Sequence, residues 1–154
     1  MRLLPYPVTV VTAAYGKRFR GITIGSFTSL SLQPPLVTFN VNCESQMHSL
    51  LEDADRFVVH IPGEDQDEIC SRFALPDQED AEQFEGLNYT REPGEPPVLS
   101  DVIAELHCTM FRMFRAGDHS IIIGSVERIQ RNREEPSILY CNGAYQALKL
   151  DSSG

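Results

Sequence analysis

The feature that most limits the fold of this chain is that its apolar residues fall in short, β-branched runs of period two, cut by glycine and proline. Val8, Val10 and Thr12 alternate with Thr9, Val11 and Ala13. Ala14 to Lys17 carries a glycine, so a hairpin turn is expected to return the chain through a second strand, Arg18 to Gly25. Leu36 to Val41, LVTFNV, is apolar at most positions, as in strands covered on both faces. Phe57 to Ile61 is another such run and stops at Pro62-Gly63. Two long strands, Ala104 to Phe114 and Ser120 to Gln130, are joined by Arg115 to His119, and a short one, Ile138 to Cys141, ends at Asn142-Gly143. Helical periodicity is rarer. Ser45 is a good N-cap ahead of one stripe, Met47, Leu50, Leu51 and Ala54. Glu64, Asp65 and Asp67 put negative charge in the first turn of a second helix, whose inward face is Gln66, Ile69, Cys70 and Phe73. Pro76 to Pro97 is acidic and aperiodic and is expected to be a long loop. Six or seven strands with two or three short helices predict a mainly β chain, a closed or nearly closed barrel rather than a doubly wound sheet.

With 154 residues the chain suits one domain, 1–154, able to bury roughly 70% of its unfolded surface without staples. Lys and Arg number 13 against 22 Asp and Glu, a net charge of −9. A protein that neutralises phosphates along nucleic acid has the opposite balance, so no nucleic-acid partner is expected. Any anionic ligand must instead be held by local dipoles and a few side chains. No apolar run reaches the roughly 18 residues of a membrane span, and Pro5 and Pro7 interrupt the one stretch that suggests a leader. Cys43, Cys70, Cys108 and Cys141 stand at wide, irregular intervals and are expected to be reduced thiols in a cytoplasmic protein. His48, His60, His107 and His119 are equally scattered, so no metal is expected. There is no GxxxxGK(S/T), GxGxxG after a strand, GxSxG or HExxH, which removes the usual signatures of nucleotide hydrolysis, serine hydrolysis and zinc proteolysis.

What remains is the hydroxyl-dense, glycine-bearing stretch Gly21 to Ser31, GITIGSFTSLS. Glycines let a ligand approach the backbone, and hydroxyls and freed N–H groups bind phosphate or carbonyl oxygens. A second anion-friendly element, Asn42 to His48, opens the first helix. Together they suit a mononucleotide, phosphate at the helix start and ring against the glycine strand. The residues alone equally allow an ordinary Ser/Thr-rich barrel strand and a cap that serves only its own helix.

Three passages, PYPVTVVTA, GITIGSFTSLSLQPPLVTFNV and GDHSIIIGSV, resemble in order the flavin reductase-like family, with CESQMHSLL in the place of its phosphate loop and LYCNGAY in that of its closing strand. The resemblance spans nearly the whole chain. It implies an FMN-binding split barrel, FMN or FAD as cofactor, NADH or NADPH as co-substrate, a homodimer, and in many members a flavin-dependent monooxygenase partner. It implies that Thr23, Ile24, Gly25, Ser26, Phe27 and Thr28 line the isoalloxazine and ribityl site. Ser45, Gln46, Met47 and His48 would form the phosphate end, His119 would stand near flavin and nicotinamide, and Tyr145 would close the pocket. Two positions depart from the family pattern: Met47 stands where many relatives carry Thr or another polar residue, and Gly25 where Asn is frequent. A non-catalytic FMN-binding protein or electron carrier is the alternative on the same fold, and a barrel that has lost its cofactor is a third reading.

Overall fold

The computed structural model describes residues 3–148. A short β1 (Tyr6–Pro7) leads into the hairpin of β2 (Thr9–Tyr15) and β3 (Arg18–Ile24), which turns at Gly16 in the left-handed region, φ +59°. β4 (Thr28–Leu32) and β5 (Pro35–Asn42) form a second hairpin, followed by α1 (Gln46–Asp53) and β6 (Arg56–Ile61). Next come α2 (Asp67–Ala74), α3 (Asp80–Phe84) and the small pair β7 (Tyr89–Thr90) and β8 (Val98–Leu99). The long β9 (Ala104–Ala116) and β10 (His119–Arg131) precede β11 (Ile138–Cys141) and β12 (Ala144–Ala147).

Seven strands build the main sheet, entirely antiparallel, in the order β3-β2-β6-β9-β10-β5-β4. Its two edge strands, β3 and β4, are consecutive in sequence but share no ladder, so the sheet has an unpaired edge at each of them. β1, β11 and β12 make a small three-stranded sheet of their own. The chain is thus mainly β with three short helices, as expected.

The alternation of β2 explains the layering. Val11 and Ala13 face the main core with Phe39, Phe57, Val59 and Ile122, and α1 closes that core with Met47, Leu50, Leu51 and Ala54. Val10, on the opposite face of β2, packs under a second layer of Phe73, Phe84, Leu99 and Val102. That layer corrects the expectation for Pro76 to Pro97. The segment holds α3 and β7, anchored because Phe84 lies 5.2, 5.1 and 5.0 Å from the rings of Phe19, Phe73 and Tyr89. Two further differences are local. Part of the hydroxyl-rich stretch is an edge strand, β4, paired with β5 opposite Thr38 and Val37. The second helix begins only at Asp67; Gln66 is its cap, and Asp65 instead pairs with Arg133 at 3.2 Å.

Candidate functional site

A cleft of about 320 Å³ opens where β3 passes the start of α1. Arg20, Gly21 and Ile22 form its floor, Asn42 and Glu44 to Met47 one wall, and Phe73 to Asp77 with Gln83 the other. Each wall is fixed by local chemistry. Asn42 Oδ1 accepts from the Glu44 N–H at 2.8 Å, turning the chain out of β5. Ser45 caps α1: its Oγ accepts from the His48 N–H at 3.1 Å and donates to the Asn42 carbonyl at 2.8 Å. On the far wall the Gln83 amide pairs with both backbone groups of Gly21, each at 3.0 Å, and so covers the open edge of β3.

Ser45, Gln46 and the backbone of Met47 all line this cleft. The Met47 side chain itself is 2% exposed and belongs to the core, and Gln46 Oε1 accepts from Arg20 at 2.7 Å. His48 turns away: its buried Nε2 lies 2.8 Å from Ser120 Oγ. Ser120 also lies 3.7 Å from Cys43 Sγ, and the Cys43 N–H donates to the Asp118 carbonyl at 2.9 Å. The cap loop and the His119 turn are therefore one tied unit. His119 stands opposite Asn42 in the β10–β5 ladder with its ring half-exposed, and its Nδ1 donates to Asp118 Oδ1 at 2.8 Å. That bond, and then the imidazole's charge, hold the Asp118 carboxyl below the usual range. Nε2 of His119 is left as the group able to meet a ligand.

Ala74 links this cleft to a second hollow of about 250 Å³ farther along β3, lined by Thr23, Ile24, Gly25, Tyr6, Tyr140 and Tyr145. Tyr140 stacks with Tyr6 at 5.3 Å and edge-on with Tyr145 at 5.1 Å; burial raises the Tyr145 phenol. Thr23 Oγ1 is committed to the Cys70 carbonyl at 2.6 Å, and Ile24 is core. Ser26 Oγ accepts from the Asn40 N–H at 2.9 Å; Phe27 packs on the main core, and Thr28 is exposed on β4. A Cβ on Gly25 would come within 2.5 Å of Tyr6. The ring of Tyr6 thus takes the space that an Asn at this position would fill.

Arg20, Gln83, Tyr6, Tyr140 and the wall from Phe73 to Asp77 are cleft residues that escaped the sequence reading. Arg20 is 4% exposed. The available signal was charge complementarity, two arginines in a strand followed by an acidic tract.

Fold and clefts define a mainly β protein with two adjoining hollows along β3, one at a helix start and one walled by tyrosines. A family model described as "Flavin reductase like domain" matches residues 1–149. The NADH:FMN oxidoreductase of Rhodococcus qingshengii is 36% identical over 150 residues, covering 94% of this chain and 77% of that protein. The reductase subunit HsaB of a flavin-dependent monooxygenase from Rhodococcus jostii is 30% identical over 146 residues, 95% of this chain and 73% of that one. Among solved structures, the NADH:FAD oxidoreductase SgcE6 of Streptomyces globisporus, in complex with NAD and FAD fragments, superposes with a TM-score of 0.87 at 32% identity, covering 98% of this chain and 90% of that chain. The chain belongs to the flavin reductase-like family.

Proposed function

We propose that this chain is an NAD(P)H-dependent flavin reductase acting on FMN or FAD, with residues 1–154 as one domain. The observation that carries the reading is the meeting of the α1 N-terminus, a buried arginine and the β3 backbone in one groove. The donors fit a flavin phosphate: N–H groups at a helix start and a guanidinium suit an anion even in an acidic protein. Bound flavin supplies the redox chemistry by accepting hydride from a nicotinamide.

The protein's own part is to bind and orient. Ser45, Gln46 and the backbone of Met47 hold the phosphate end. The segment Thr23 to Thr28 would hold the ring and ribityl chain, largely through backbone groups, because Thr23 and Ser26 already spend hydroxyl bonds on the protein. His119, steadied by Asp118, would offer Nε2 to a bound flavin or nicotinamide and could hold or give a proton there. His48 acts from within, through Ser120. Tyr145 borders the aromatic end.

The missing ladder between β3 and β4 is the split of a split barrel in this reading. Leu30, Leu32, Phe111 and Phe114, large apolar side chains 47–84% exposed on β4 and β9, support a homodimer. Among the described residues no helix is long and apolar enough to cross a membrane. Cys70 and Cys108 are buried, each thiol pushed up to about 12, chiefly by burial, and all four cysteines are free, as in a reducing, cytoplasmic setting. The likeness to a monooxygenase reductase subunit supports a monooxygenase partner for the reduced flavin.

Two experiments test the proposal. FMN at 100 times its Kd should add about 2.7 kcal/mol of stability and raise Tm; an unchanged Tm contradicts it. His119→Ala should lower NAD(P)H turnover about tenfold or more while FMN affinity changes less. Equal turnover in variant and parent removes His119 from the mechanism.

A further inference from the structure

Among the described residues lining the cleft Arg20 is the one cation, in company with the carboxylates of Glu44 and Asp77. Three acceptors converge on its Nη1: Gln46 Oε1 at 2.7 Å, the Gln78 carbonyl at 2.8 Å and Asp80 Oδ1 at 2.6 Å. Nη1 carries two protons, so one of the three is surplus. Nε and Nη2 make no hydrogen bond to the described residues and are not among the fully buried unpaired atoms, so both keep donors to offer in the cleft. Gln46 is the first residue of α1, so Arg20 is tethered beside the helix's N-terminal amides. Asp80, for its part, has a second cation in reach: its Oδ2 lies 3.5 Å from Nε of the half-exposed Arg18.

Three acceptors on a nitrogen with two protons make the Asp80 contact one that the guanidinium can exchange for another anion. We propose that Arg20 reads the terminal phosphate of the flavin and that Asp80 is the carboxylate this phosphate displaces; the inference rests on the flavin reading above. The exchange swaps one anion for another on the same guanidinium, and Asp80 falls back on Arg18. No covalent bond changes. Arg20 then selects phosphorylated flavin over riboflavin, and Asp80 sets how hard the phosphate must compete.

The test compares the Kd of FMN with that of riboflavin, by quenching of flavin fluorescence, in the wild-type chain, Arg20→Met and Asp80→Asn. Arg20→Met should weaken FMN about tenfold or more, the loss of a charge-assisted hydrogen bond, and riboflavin less than about twofold. Asp80→Asn should tighten FMN about threefold or more and leave riboflavin within about twofold, since only the phosphate competes with the carboxylate. Should Arg20→Met fail to fold, Asp80→Asn decides alone, because it removes a charge and keeps the shape. FMN and riboflavin shifting together, or Asp80→Asn weakening FMN, overturns the inference and makes the pair purely structural. Wild-type binding of neither flavin overturns the flavin reading as well; wild-type binding of FMN with an unchanged FMN-to-riboflavin ratio in the variants overturns the role of Arg20 alone.

Discussion

Gly25 and Tyr6 share one volume, because a Cβ at position 25 would lie 2.5 Å from the tyrosine ring, inside van der Waals contact. Gly25→Asn is therefore expected to cost about 1–3 kcal/mol by overpacking, and Tyr6→Ala in the same chain should return part of it. Urea midpoints of the two single variants and the double measure this; strict additivity would show that the two residues do not compete. His60 is the other residue whose state is dictated locally. It is fully buried; its Nδ1 donates to the Val10 carbonyl at 3.0 Å and its Nε2 accepts from the Leu99 N–H at 3.1 Å. Only the neutral ring makes both bonds, and burial pushes its pKa down from 6.5 to about 4. Below about 6.5 the unfolded chain takes up a proton that the folded one refuses. The stability is thus full above that pH and lost as pH falls toward 4, at up to about 1.4 kcal/mol per unit. His60→Gln should be less stable at neutral pH and should flatten the dependence of Tm on pH across that window. An unchanged slope would assign the acid sensitivity to other groups.

At the scale of elements, α3 shows what tertiary contact adds to a weak local signal. Its five residues are too few for a helical period, and their order comes from Phe84 and Gln83, 2% and 1% exposed. Phe84→Ala should cost about 3–5 kcal/mol and expose the segment 76–97 to protease, with the seven-stranded sheet retained; a stability change under about 1 kcal/mol would mean that α3 rests on other anchors. The same contrast separates what was legible in the sequence from what was not. β2, β3, β5, β6, β9, β10 and the Ser45 cap could be read because alternation and capping are local properties of neighbouring residues. β4 was hidden by its hydroxyls, since an edge strand needs no apolar face of its own. Arg20 reads as a surface charge until Asp80, sixty positions away, is folded against it. The inward turn of His48 has the same origin, since Ser120 lies 72 positions away.

At the scale of the whole molecule, the main sheet packs its core against α1, and that helix's start lies beside the edge strand β3. The helix that completes the core also forms one wall of the cleft, so substitutions in α1 reach both. In the proposed function the cleft presents flavin to a nicotinamide and the protein speeds the transfer. Rapid anaerobic mixing of the FMN-loaded protein with NADH or NADPH, followed through the flavin's visible absorbance, tests it most directly. Bleaching within the turnover time by at least one of the two nucleotides is the expected result. Reduction by dithionite while both nucleotides leave the flavin oxidised would make the protein a carrier and not a reductase.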